Sequence, residues 1–416
     1  MVEKCDVLII GGGSVGLNSG YYLQKAGRQV TIIDQETSGI GSSSGNAGHI
    51  VPSHIVPLAA PGMVFQTIKW LLDPKNSPFS MRVSLDPAYL SFLLKFSLAC
   101  TQTNLERSML PLKNIGLLSS SNYSQIVNEE NFECHYKQTG LLFLYKTNQA
   151  WESGKHEAEY LHRNNMPAEI LTRAEVLNRE PLAQEDIIGG VHFTGDSSLN
   201  PSEYLGLIKN LIQQRGGKFF DHQKVTRVET KDGSITKVIT HDHEYEANEI
   251  VLAGGSWTPI FGKMVGLAIP IQPAKGYSIT IQTGAAMPSQ ALLLGEKRVA
   301  ITPLGDRIRV TGRLELSKLE TSVETKKIEN ITQSVCSYLK IDPNWTTLDT
   351  WAGLRPTTPD GVPIIERSTK VRNLVIAAGH AMLGLSLGPG TGQLVAELIT
   401  NQKTPFDIHP FNSSRF

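Results

Sequence analysis

Asp6-Val-Leu-Ile-Ile-Gly-Gly-Gly-Ser-Val-Gly16, followed by Leu17–Lys25 and by a second apolar run ending at Asp34, decides the fold. The run Asp6–Ile10 is short and apolar, as expected of a parallel strand covered on both faces. It leads directly into a Gly-x-Gly-x-x-Gly pattern at Gly11, Gly13 and Gly16. Leu17–Lys25 predicts a helix, Gly27 is placed to end it, and Gln29–Ile33 predicts a second strand. Gly11 permits the tight turn, Gly13 lets backbone approach a pyrophosphate, and Gly16 lets helix and strand pack closely. A diphosphate then faces the positive end of the helix, where Ser14 and Val15 lie. Asp34, with Gln35 beside it, is placed to accept hydrogen bonds from adenosine ribose hydroxyls. A bare glycine pattern matches any strand-to-helix turn. Strand, helix, second strand and acid in this order within about thirty residues indicate a dinucleotide site.

Working outward, the chain returns to this nucleotide unit twice. The first return is a helical stretch, Leu205–Arg215, then Gly216-Gly217 and strand-like segments at Lys224–Glu229, Ile235–Thr240 and Glu249–Ala253, closing on Gly254-Gly255-Ser256-Trp257. The second is Asn373–Ala378, then Gly379-His380, a glycine-rich loop through Gly392 and an amphipathic helix, Gln393–Thr400. An NAD enzyme usually completes its nucleotide fold contiguously, so this discontinuity points to FAD. Gly384, Gly388, Gly390 and Gly392 sit just ahead of the last helix, where N–H groups can converge on an anion or a carbonyl. In a flavoenzyme that place stabilises charge on the N1–C2=O edge of the reduced ring; the plainer alternative is a surface turn.

These residues resemble a known family. Gly11–Asp34, Val251-Leu-Ala-Gly-Gly-Ser-Trp257, Trp351-Ala-Gly-Leu-Arg-Pro-Thr-Thr-Pro-Asp360 and Gly379–Gly392 resemble the D-amino-acid oxidase/glycine oxidase superfamily of flavoproteins. Gly41-Ser-Ser-Ser-Gly-Asn-Ala-Gly48, Ala59-Ala-Pro-Gly62, Ile68-Lys-Trp-Leu71 and Pro273-Ala-Lys-Gly-Tyr277 are similar to its bacterial D-amino acid dehydrogenase small-subunit branch. The resemblance covers nearly the whole chain. It implies an α/β plus α+β protein with a Rossmann-like FAD domain assembled from residues 1–80, 195–262 and 345–416. A substrate domain on a mixed, largely antiparallel sheet would comprise 81–194 and 263–344, with the isoalloxazine between the two. Besides the residues named above, Ser42, Ser43, Asn46, Ala47, Gly48, His49, Val225, Ala253, Gly254, Trp257, Gly353, Gly379, Leu385, Ser386, Leu387 and Gly388 are the expected cofactor contacts.

An α-amino acid substrate needs a fixed cation for its carboxylate, and arginine suits a bidentate clamp. The resemblance gives that role to Arg355, in Gly353-Leu-Arg-Pro356; the competing reading pairs Arg355 with Asp360 on the same loop. Tyr277 is a second candidate, as carboxylate donor or flavin cover, against plain core packing. His380 is a third, against a histidine merely bonded to backbone. His49 and His54 lie in the loop after the Ser-rich turn, and His49 departs from what the dehydrogenase branch usually carries. The implied reaction is oxidation of a small amino or imino acid by hydride transfer from Cα to flavin N5, giving an imine that hydrolyses to a 2-oxo acid. It asks for a neutral amine and no obligatory general base. Rival substrates on the same fold are cyclic imino acids such as D-proline or hydroxyproline, N-methyl amino acids and 2-hydroxy acids. A non-catalytic flavin-binding partner protein is the alternative from another class.

The bulk numbers agree. Of 416 residues, 39 are Lys or Arg and 39 Asp or Glu, so no charge excess argues for nucleic acid. The four cysteines lie far apart with no metal-ligand spacing, so no metal site is expected and a reducing, cytoplasmic location fits. No signal peptide is read at the N-terminus. Met63–Leu72 and Tyr89–Ala99 are short apolar stretches, read either as core helices or as a membrane-touching surface. The latter would suit a dehydrogenase passing electrons to quinone or the respiratory chain.

Overall fold

The computed structural model describes residues 2–72, 79–82 and 84–416, the side chains of 68–72 excepted. The quoted Ile68–Leu71 motif therefore falls on a helix, Met63–Leu72, with its side chains outside the described residues.

The first sheet is the nucleotide sheet. Its parallel centre runs Lys218–Phe220, Val30–Ile33, Val2–Ile10, Glu244–Leu252 and Leu374–Ala378. Arg227–Lys231 and Ser234–Ile239 form a hairpin on one side, and Ile364–Arg367 turns back antiparallel on the other. Val7, Leu8 and Ile9 are fully buried because helices cover one face and the hairpin with its satellites covers the other. The helix Ser14–Lys25 and the C-terminal helix Gly388–Ile399 pack together on that sheet. The expected strand Gln29–Ile33 is observed as Val30–Ile33, and Lys224–Glu229 as Arg227–Lys231.

The second sheet is a roof over the first. Its order is Thr346–Thr357, Gln272–Gln282, Arg307–Leu316, Val299–Leu304, Ala291–Leu294, Leu141–Tyr145, Gly189–Phe193 and Glu169–Thr172. All these pairings are antiparallel except that of Ala291–Leu294 with Leu141–Tyr145. Alternation sorts its residues by face. Ile279, Ile301, Val310 and Leu142 pack on the outer side with the helix Thr325–Tyr338, whereas Phe143, Ala300, Thr311 and Gly353 look inward. Thr346–Thr357 belongs to this roof, so the strand after the expected boundary at 345 still lies in the second sheet.

The glycine-rich loop read through Gly392 is a correction. The helix begins at Gly388, not Gln393, and a short turn at Ala381–Leu383 precedes it. Packing overrides helix propensity here. A Cβ on Gly388 would collide with Ser14, one on Gly390 would meet the Ile115 carbonyl at 3.0 Å, and one on Gly392 would meet the Asn18 backbone at 2.5 Å. These glycines let three helices approach closely.

Candidate functional site

Between the two sheets lies a cleft of about 940 Å³. Its nucleotide end is built by the first turn. Gly11 has φ +109°, and any side chain there would collide with the Ala253 carbonyl. Gly16 has no room because the Gly11 carbonyl presses on it. Gly13 differs: a Cβ there would meet only Ser43 Oγ, at 3.5 Å, and otherwise faces the cleft. The protein does not need glycine at 13 for its own packing, which is what close approach of a ligand would require. Asp34 is held ready, one carboxylate oxygen accepting from Gly12 N–H at 2.6 Å and the other from Glu36 N–H at 2.8 Å. Burial raises its pKa, opposed by those two N–H groups.

The Ser-rich turn is tied both to the roof and to the helix Ser14–Lys25. Leu354 N–H donates to Ser42 Oγ (3.1 Å), Ser14 N–H donates to Ser43 Oγ (3.1 Å), and Thr302 Oγ1 donates to the Ala47 carbonyl (2.7 Å). Arg309 donates to the Ser44 carbonyl at 2.9 Å. Opposite, the approach to the C-terminal helix is fixed through its carbonyls: Tyr123 Oη donates to Leu385 at 2.7 Å and Ser119 Oγ to Ser386 at 2.6 Å.

Of the residues expected to hold cofactor, Gly11, Gly13, Ser14, Val15, Asp34, Gln35, Ser42, Ser43, Asn46, Ala47, His49, Val225, Ala253, Gly254, Trp257, Gly353, Arg355, Gly384 and Leu385 line the cleft. Gly16, Gly48, Gly379, Ser386, Leu387 and Gly388 stand behind its wall. Gly48 abuts Leu199, Gly379 abuts Thr358, and Ser386 Oγ accepts from Val51 N–H at 2.9 Å. Among the described residues, one buried polar atom at the wall, His49 Nε2, has no hydrogen-bond partner. Burial pushes His49 down to about 4, so it is neutral and Nε2 needs a donor.

Arg355 lies on the inward face of the roof with its guanidinium over Gly276, where any side chain would collide with it. Its Nη1 donates to the Arg313 carbonyl at 2.6 Å. Asp360 is not its partner: that carboxylate pairs with Arg415 at 2.5 Å. Among the described residues no carboxylate pairs with Arg355. Burial pushes it down to about 10, so it stays charged at neutral pH. Tyr277 also lines the cleft, with its ring in the cluster packed under the outer helix and its hydroxyl 3.4 Å from Glu315. His380 reaches the cleft wall, but its Nε2 is 2.9 Å from Thr391 Oγ1 and burial pushes it down to about 3.

Five charged residues at the cleft were not singled out in the sequence: Glu36, Glu157, Lys224, Arg298 and Arg313. Arg313 occupies a β-bulge, where Arg313 and Leu314 together oppose Gly276, and its φ is +64°. A bulge re-aims a side chain, and no sequence pattern announced this one.

Comparison with known proteins agrees with this geometry. The family model described as DAO, FAD dependent oxidoreductase, matches residues 6–398. The chain belongs to the DAO family of FAD-dependent oxidoreductases. It is 30% identical over 416 residues to a D-amino acid dehydrogenase of Allorhizobium ampelinum, covering 99% of this chain and 98% of that one. In fold it resembles glycine oxidase from Geobacillus kaustophilus, with TM-score 0.82, 21% identity and 99% of each chain covered. It also resembles L-proline dehydrogenase from P. horikoshii, with TM-score 0.78, 21% identity, and 100% and 98% covered. The cofactor of this DAO-family enzyme is FAD. The open face of Gly13, the ready acceptor at Asp34 and the orphaned acceptor His49 Nε2 fit it.

Proposed function

We propose that this DAO-family enzyme oxidises a small amino or imino acid, in the manner of a D-amino acid dehydrogenase. The observation that carries the reading is Arg355: a half-buried guanidinium at the roof of the cofactor cleft, aimed by a carbonyl and without a carboxylate of its own. Leaving such a charge unpaired is costly, and a substrate carboxylate answers it with two parallel hydrogen bonds. FAD, when bound, supplies the acceptor for the hydride of Cα. The chain's own residues bind and orient. Arg355 fixes the carboxylate, Gly276 leaves room for its guanidinium and Gly353 for the Trp351 ring, and the roof covers the cleft. The imine released then hydrolyses in solvent to a 2-oxo acid. The D-amino acid dehydrogenase relative supports this substrate class.

The test is an anaerobic titration of flavin absorbance with D-alanine, D-proline, hydroxyproline isomers and glycine derivatives, repeated with Arg355→Met. The wild type is expected to bleach with at least one of them. The variant is expected to keep its FAD while KM rises roughly 10²-fold, consistent with about 2–5 kcal/mol for truncating one partner of a buried charge pair. FAD loss with unchanged substrate affinity would sink the assignment of Arg355. For the electron acceptor the reading is quinone or the respiratory chain, supported by exposed leucines beside the cleft; a stoichiometric peroxide yield without dye reduction would refute it.

A further inference from the structure

One buried carboxylate close behind the cleft has no part in the reading above. Asp196 is 1% exposed and, among the described residues, its carboxylate is held by Ser53 alone with no cation acting on it. Ser53 Oγ donates to its Oδ2 at 2.6 Å, and Ser53 N–H donates to Oδ1 at 3.2 Å. Ser53 Oγ also lies 3.4 Å from Nδ1 of His54, and His54 lines the cleft beside Phe143. The direction of these bonds follows from the groups. An ionised Asp196 only accepts, so the single serine proton points to it. The contact with His54 is then Nδ1–H donating to Ser53 Oγ, which leaves Nε2 as the bare acceptor. The remaining charged or titratable groups that act on this end are His49 from the short strand His49–Ile50, Arg298 from the turn between two roof strands, and Glu157 from the helix Asn148–Arg163. Burial and Arg298 both disfavour a lasting positive charge on His54.

We propose that His54, Ser53 and Asp196 form a proton relay that takes the proton from the substrate's ammonium group before oxidation. The inference rests on the amine-bearing substrate proposed above. In the step the substrate N–H bond breaks and the proton passes to His54 Nε2. The Nδ1 proton moves to Ser53 Oγ, and the serine proton moves to Asp196 Oδ2. The result is a neutral amine, a neutral imidazole in its other tautomer and a protonated carboxyl, with charge balanced. No imidazolium has to persist, which suits a histidine that burial pushes down to about 4. The same burial pushes Asp196 up to about 7, within reach of a proton at neutral pH. His54 is the catalytic residue of this step; Ser53 and Asp196 act through it.

A free aliphatic amine keeps its proton to about pH 10. The experiment is therefore the rate of anaerobic flavin reduction from pH 6 to about 10 for the holoenzyme and for Asp196→Asn and Ser53→Ala. Each variant is expected to be slower at pH 7 by roughly 10²-fold, the low end for proton transfer by a placed side chain. Each should return to within about twofold of wild type near pH 10, where the amine deprotonates unaided. An equal loss at every pH means a structural role and overturns the relay, as does no loss at pH 7. A second readout needs no turnover: ¹⁵N spectra of histidine-labelled protein, with His54 assigned by its absence in His54→Gln. His54 should carry its proton on Nδ1 in the wild type and lose that preference in Ser53→Ala; an Nε2-protonated His54 in the wild type refutes the relay. If no amino acid bleaches the wild-type flavin, the proposed function fails first and separately.

Discussion

Gly13 and Gly16 stand three residues apart and have different work. A methyl group at 16 collides with the Gly11 carbonyl, whereas one at 13 meets only Ser43 Oγ at 3.5 Å. Gly13 has φ −77°, a conformation open to any residue. Gly13→Ala is therefore expected to fold with an unchanged melting temperature for the apoprotein and to lose FAD affinity by at least tenfold, measured by FAD fluorescence titration. Gly16→Ala should lose stability first. Equal melting losses in both would show that position 13 serves the fold. The order of strand, glycines and acid made this site legible in the sequence. Arg355 was legible only through its Gly-Leu-Arg-Pro setting, and its freedom from Asp360 was not, because Arg415 lies 55 residues downstream. Arg313, Arg298 and Glu157 left no sequence signal, since a bulge, a hairpin turn and the helix Asn148–Arg163 bring them to the cleft.

Among elements, the C-terminal helix shows where propensity misleads. Glycine-rich sequence from Gly384 to Gly392 reads as a loop, yet five residues of it are the first turns of a helix wedged against Ser14–Lys25 and Gln102–Glu129. Glycine in a helix costs roughly 0.5–1 kcal/mol relative to alanine, and here close packing offsets it. Gly392→Ala is expected to destabilise by about 1–3 kcal/mol in urea unfolding, since its Cβ would come 2.5 Å from the Asn18 backbone with no flexible atom to yield. Gly384→Ala is the control: its Cβ would meet only His380 Cβ, at 3.6 Å, and φ there is −58°. That variant should be as stable as wild type. Gly384 and Leu385, ahead of the helix, reach the cleft wall, whereas its first residue Gly388 does not and donates its N–H to the Leu385 carbonyl. Strand existence was easier to read than strand ends, because an apolar run marks burial but not where the ladder stops.

At the scale of the molecule, one helix joins the cleft to an apolar outer surface. Pro87–Ala99 buries Tyr89 and Phe92 and sends Phe96 to the cleft wall. Its other face carries Leu90, Leu94 and Leu98 at four-residue spacing, 47%, 62% and 68% exposed, with Leu85 just ahead at 86%. Neither half of the sequence expectation is sufficient for Tyr89–Ala99: part of the stretch is core and part is bare. No described helix is long and apolar enough to cross a membrane. We propose that this stripe of leucines at one rim, with Lys95 the only charge on its helix, inserts shallowly into a lipid surface. Each leucine moved out of water contributes about 1.5–3 kcal/mol, so three or four suffice for reversible binding. Leu94→Glu/Leu98→Glu is therefore expected to abolish sedimentation with liposomes of the bacterial lipid type while leaving FAD content and dye-linked turnover unchanged. Reduction of a quinone dissolved in those liposomes should fall with binding, because the acceptor would then have to reach the cleft through water. If the double variant still sediments with lipid, the stripe does not hold the protein to it. If quinone reduction survives the loss of lipid binding, the acceptor does not arrive past this helix.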